Sequence, residues 1–132
     1  MNILKSVGAV FAGLLFIFVT HSGVDLILES LGIFTPPSER FDTPWMVVTA
    51  TIYRTLLSIA GCFLTGVLAP SRPMLHSLIL GFVGLALTTA GAVVTIPMDL
   101  GPAWYPIALA ILSVPCGWIG GILAERRSHL LS

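Results

Sequence analysis

Residues 74–96 read MLHSLILGFVGLALTTAGAVVTI, between Pro73 and Pro97. These 23 residues contain no Asp, Glu, Lys or Arg. As a helix rising about 1.5 Å per residue they span roughly 35 Å, enough to cross the ~30 Å hydrocarbon core of a bilayer. Small and hydroxyl residues recur at three- and four-residue steps: Ser77, Gly81, Gly84, Thr88, Gly91 and Thr95. Such a row lies on one helix face and lets a second backbone approach closely. Helices pack this way where lipid supplies no hydrophobic push between them.

Outward from this stretch the pattern repeats. Pro70-Ser71-Arg72-Pro73 makes a tight turn, and before it 44–69 forms a second apolar span. The run from Pro97 to Pro102, with Asp99 and Gly101, makes another turn, followed by a span over 104–125 that contains Pro115. Proline lacks the backbone N–H and disfavours helix at the residue before it, so these clusters end helices, and Pro115 is expected to kink its own. The first span, 3–34, is long, ends at Thr35-Pro36-Pro37-Ser38 and is expected to tilt or project beyond the membrane. The expected fold is all-α: a four-transmembrane-helix bundle, up-down-up-down, in one integral membrane domain over 1–132.

Composition agrees. Apolar residues make up 56% and charged residues 9%, with mean hydropathy +1.01, against roughly 25% charged in soluble domains. A chain this short cannot hide so much apolar surface in a water-soluble core. Six basic residues balance six acidic ones, so there is no basic footprint for nucleic acid. Cys62 and Cys116 both sit inside apolar runs, with no CxxC or Cys/His cluster. They read as small buried hydrophobes, and no metal or cofactor is expected. Lys5 and the run 7–19 resemble a signal peptide, but Val19-Thr20-His21 is a poor cleavage site and the apolar pattern resumes at Val24. An uncleaved first span is expected.

Lys5, Arg72, Arg126 and Arg127 share one set of helix ends, whereas Arg40 on the other side is diluted by Glu39, Asp42 and Asp99. The positive-inside rule then makes both termini and the middle turn cytoplasmic. Trp45, Trp104 and Tyr105 form an outer interfacial belt, with Trp118 nearer the inner one. His76 and His129 fall at cytoplasmic helix ends, where a cation needs no special role.

One polar constellation stands out. His21, Asp25 and Glu29 lie on one face of the first helix, at i, i+4 and i+8. In the second helix Arg54 belongs to a small, polar row with Thr51, Ser58, Gly61 and Thr65. Lys5 to Asp25 spans roughly 30 Å and Arg72 back to Arg54 roughly 27 Å. If these helices are antiparallel neighbours, Asp25 and Arg54 reach one level in the outer part of the membrane. A charge at mid-bilayer costs on the order of 3 kcal/mol or more, so partners are expected. The candidate intramembrane site is His21, Asp25 and Arg54, with Glu29, Tyr53, Thr95, Asp99 and Tyr105 at its periphery. It reads either as a ligand or proton site or as an ion pair that fixes helix register.

The fourth helix carries its own small-residue row, Ala110, Ser113, Gly117, Gly120 and Ala124. Residues 66–72 (GVLAPSR) also resemble 121–127 (GILAERR), and Asp42-Thr43-Pro44-Trp45 echoes 99–104. Either two tandem helical hairpins or convergent helix ends account for that.

The stretches around His21-x3-Asp25, Tyr53-Arg54, Leu68-Ala69-Pro70-x-Arg72-Pro73-Met74-x-His76 and Trp104-Tyr105-Pro106 resemble a group of small bacterial four-helix integral membrane proteins with no assigned activity. The resemblance covers nearly the whole chain and implies a multi-pass protein of the bacterial inner membrane. No nucleophile–base pair, phosphate loop or zinc signature is present, so catalytic residues are not expected, nor is an enzyme. The first functional expectation is a structural or accessory subunit acting through helix–helix contacts with itself or a larger membrane complex. The alternative is a homodimeric transporter or channel for a small solute or ion, using His21, Asp25 and Arg54.

Overall fold

The computed structural model describes residues 3–35, 43–98 and 101–131. Four helices account for most of them: α1 (Ile3–Ser30), α2 (Pro44–Leu68), α3 (Pro73–Thr95) and α4 (Trp104–Leu131). All four are long and apolar enough to cross a membrane. Proline at the first turn starts α2 and α3, where its fixed φ suits the helix and its missing N–H is no loss.

Two boundaries differ from the sequence expectation. The first helix stops at Ser30 instead of running to Phe34. Gly32 adopts φ +76. Its N–H bonds the Glu29 carbonyl at 3.1 Å and the Ile33 N–H bonds the Leu28 carbonyl at 3.0 Å. That pair of bonds is a Schellman cap, for which a left-handed glycine is the usual residue. The fourth helix runs on to Leu131 instead of ending near Glu125. Arg126, Arg127 and His129 mark the edge of the apolar span, but none of them breaks a helix, and cations suit its negative end. The α3 boundary is close to expectation, with a short 3-10 turn at Ile96–Met98. Pro115 lies inside α4, which is helical on both sides of it. Asp99 and the proline-rich stretch at 36–37 lie outside the described residues.

Neighbouring helices run antiparallel, as their contacts show: Ala9 meets Thr65 while His21 meets Arg54, and Ser77 meets Gly117 while Gly84 faces Ser113. The helix α2 touches each of the others, α4 pairs tightly with both α2 and α3, and α1 lies against α2 with a lighter contact to α3. The ends carrying Lys5, Arg72, Arg126 and Arg127 form the basic end of the bundle. The ends carrying Trp45, Trp104 and Tyr105 form the aromatic end.

Toward the basic end the backbones touch. A Cβ on Gly117 would stand 2.8 Å from the Ser77 carbonyl oxygen, and one on Gly120 would stand 2.6 Å from Cys62 Cβ. Gly13, Gly61 and Gly66 are similarly enclosed. Hydroxyls tie the same region together: Thr65 donates to the Ala9 carbonyl at 2.8 Å and Ser77 to the Cys62 carbonyl at 2.7 Å, both side chains being fully buried. His76 is also buried, between Ser6 Oγ at 2.9 Å and the Arg72 carbonyl at 3.0 Å, so it joins α1 to α3 instead of facing the interface. The matching segments near Gly66 and Gly121 end two parallel, touching helices, with Gly66 against Ala124.

Candidate functional site

The polar constellation assembles between α1 and α2. Asp25 Oδ2 receives Arg54 Nη2 and Asp25 Oδ1 receives the Tyr53 hydroxyl, closing an ion pair and a charge-assisted hydrogen bond on one carboxylate. Side chains of Asp25 and Arg54 are each about a quarter exposed (25% and 24%). One turn deeper, His21 Nε2 lies 3.0 Å from the Arg54 carbonyl and 3.4 Å from Ser58 Oγ. The carbonyl can only accept, so Nε2 holds the proton and donates it. His21 thus grips the backbone of the residue whose side chain Asp25 binds.

The remaining candidates divide. Tyr53 belongs to the cluster. The Tyr105 ring lies under the guanidinium, with Arg54 Cζ 5.8 Å from its centroid, so this tyrosine turns into the protein and not into the interfacial belt. Among the described residues Glu29 joins no hydrogen bond or ion pair of the cluster, and Asp99 lies outside them. Arg54 Nε is buried without a hydrogen-bond partner among the described residues.

Phe34 was not anticipated. The Schellman turn folds the chain back onto α2, where Phe34 is buried (3% exposed), stacked on Tyr53 at 6.2 Å and edge-on to Trp45 at 6.3 Å. It packs on the ring of Tyr53, the tyrosine that bonds Asp25. The readable signal was Gly32 followed by two apolar residues, the pattern of a glycine cap with its hydrophobic contact.

Behind the cluster the bundle opens into a cleft of about 610 Å³, within the range of small-molecule sites. Residues Leu14 to Ser22 of α1 form one wall and Leu80 to Thr95 of α3 the other, with α2 and α4 behind. Its deep end is closed by the packed glycines, where Gly81 meets Gly117 and Gly13 meets Leu80. Its shallow end holds His21, Ser22, Arg54, Thr95 and Tyr105. Phe18 and Leu87, 67% and 56% exposed, are its two lips.

Small residues that sequence spacing assigns to packing therefore serve two ends. Ser77 is packed and Gly81 is packed at the cleft floor, whereas Gly84, Thr88, Gly91 and Thr95 line the open cleft. A Cβ on Gly84 would make only ordinary contact, at 3.7 Å from Ser113, and one on Gly91 would meet nothing within 4 Å. Three cleft hydroxyls turn back on their own helices: Thr55 to Thr51, Thr88 to Gly84 and Ser113 to Leu109, at 2.6–2.9 Å. The floor of the cleft thus presents hydrocarbon, and polar side chains gather above it around His21, Ser58 and Arg54. No protein-family model, no curated protein and no solved structure matches this chain.

Proposed function

We propose that this is a non-enzymatic multi-pass protein of a bacterial inner membrane that holds a small ligand in an intramembrane cleft. The cleft carries the reading: a cavity of about 610 Å³, blind at the basic end and open near an ion pair. Sequence alone ranks a structural or accessory role first. The cleft moves the balance toward binding, the site-based part of the transporter alternative. A blind cleft has no through-path, so conduction by this chain requires a second copy or a larger membrane complex. The accessory role keeps one supporting observation: Asp25 binds both Tyr53 and Arg54 and so ties α1 to α2.

The orientation proposed is N-in and C-in, from the basic residues at one end. The cluster and the cleft mouth then face the outer leaflet. Single cysteines at Ser38 and Ser71, in a background lacking Cys62 and Cys116, report this with an impermeant thiol reagent in intact cells. Labelling is expected at 38 and not at 71; the reverse pattern refutes the orientation. For ligand binding, native mass spectrometry of protein released from mild detergent is expected to show a retained small molecule. Gly84→Trp, which drives an indole into the cleft, is expected to lose it. A folded wild type with no retained mass, or one unaffected by Gly84→Trp, overturns the binding role.

A further inference from the structure

We infer that the cleft's occupant is one acyl chain of a phospholipid from the outer leaflet, entering sideways between α1 and α3, with its phosphate against Arg54. This rests on the ligand-binding reading above and names its ligand class.

The route comes from how the helices part. At the basic end α1 and α3 are joined, by Gly13 against Leu80 and by the Ser6–His76 hydrogen bond. Above Leu14 the same helices become facing walls with exposed lips at Phe18 and Leu87. Those lips belong to spans long and apolar enough to cross a membrane, so the gap between them opens onto lipid tails and not onto water.

The chemistry comes from the polarity gradient. Toward the floor, Leu14, Ile17 and Leu80 supply hydrocarbon, and midway the hydroxyls of Thr55, Thr88 and Ser113 are spent on their own backbones. A polar solute seated there would lose its water shell and gain few partners. A hydrocarbon chain loses nothing. At the mouth the order reverses. Arg54 lines the cleft whereas its partner Asp25 does not. A guanidinium has five donors in a fork suited to phosphate, and Asp25 engages only Nη2. Tail inward and anionic head at the outer interface is how an outer-leaflet phospholipid already lies.

The length fits as well. Along α2 the lining runs from Arg54 to Cys62, eight residue steps or roughly 12 Å, and the Arg54 side chain reaches further outward to Asp25. One leaflet's share of the hydrocarbon core is about 15 Å. A chain whose phosphate meets Arg54 therefore ends near the cleft floor at its normal depth.

The test uses the whole protein in phosphatidylcholine vesicles doped with a phospholipid carrying a diazirine at the end of one acyl chain. After irradiation, peptide mass spectrometry is expected to find label at the cleft floor, on Leu14, Ile17 and Leu80. Gly84→Trp is expected to lower that labelling at least tenfold while Phe11 and Phe82, outside the cleft, stay labelled as in wild type. Gly91→Trp, at a position with open space, serves if Gly84→Trp elutes as aggregate. A diazirine fatty acid is the second arm. Floor labelling by the fatty acid alone overturns the phospholipid assignment. Labelling confined to Phe11, Phe82 and similar outer positions overturns a lipid occupant altogether. In that last case a polar molecule retained in native mass spectrometry and lost in Gly84→Trp leaves the binding role standing; no retained molecule ends both.

Discussion

A methyl group placed on Gly117 would stand 3.1 Å from the Gly81 Cα, whereas one placed on Gly91 would meet nothing within 4 Å. Both glycines belong to rows of small residues with the same three- and four-residue steps. Near the basic end the row brings backbones into contact and closes the bundle. Near the aromatic end the same row, continued by Thr88 and Thr95, leaves a cleft. Spacing places small residues on one face, but what fills the room they make depends on whether a neighbour comes near. Here α4 stays close to α3 while α1 parts from it above Leu14.

The sharpest way to break this contrast is to add bulk where the backbones touch. Gly117→Leu is expected to abolish a monodisperse, folded protein in mild detergent, because the carbonyl of Ser77 and the backbone of Gly81 have nowhere to go. Gly117→Ala is the milder probe. Overpacking of this kind costs about 1–3 kcal/mol, read as a lower thermal midpoint. Wild-type stability in Gly117→Leu would show that the α3–α4 contact is not tight.

The cluster sharpens the comparison next, since it holds α1 to α2 at the open end. Removing one partner of a buried pair costs about 3–5 kcal/mol, and less where water reaches it. With both side chains about a quarter exposed, Asp25→Asn and Arg54→Gln are each expected to cost about 1–3 kcal/mol. Tyr53→Phe is expected to cost about 1 kcal/mol, the usual net worth of a hydrogen bond. The double change Asp25→Asn with Arg54→Gln should cost less than the sum of the single ones, because no charge is left alone. Strict additivity in the thermal data would mean that the two residues do not meet in solution.

The four helices were readable from the sequence because their cause is local: runs of apolar residues punctuated by proline. Asp25 and Arg54 were readable too, because two helices with fixed rise per residue bring countable positions level. Phe34 and the cleft were not. Phe34 depends on the left-handed turn at Gly32, and an apolar count runs straight through Leu31-Gly32-Ile33-Phe34. The cleft depends on the path of α1 relative to α3, which no pattern within either helix encodes. His76 was misplaced for a related reason. Its position at a helix end suggested water, but Ser6 of another helix covers it.

The smallest expected effect carries the opposite sign. Inside a helix glycine is less favourable than alanine by about 1 kcal/mol, because it gives up more backbone freedom. At Gly117 any such gain is overwhelmed by the contact with Ser77 and Gly81. At Gly91 nothing opposes it: the helix is regular there, and the new methyl group points into open space. Gly91→Ala is therefore expected to raise stability by about 0.5–1 kcal/mol, a rise of a few degrees in the thermal midpoint. One methyl group leaves most of the cleft open, so a molecule held there should still be retained. Two variants with the same added atom then move stability in opposite directions, according only to which half of the bundle receives it. If Gly91→Ala were as harmful as Gly117→Ala, the aromatic end would be closed by helices packed as tightly as at the basic end. The cleft would then not exist in the folded protein.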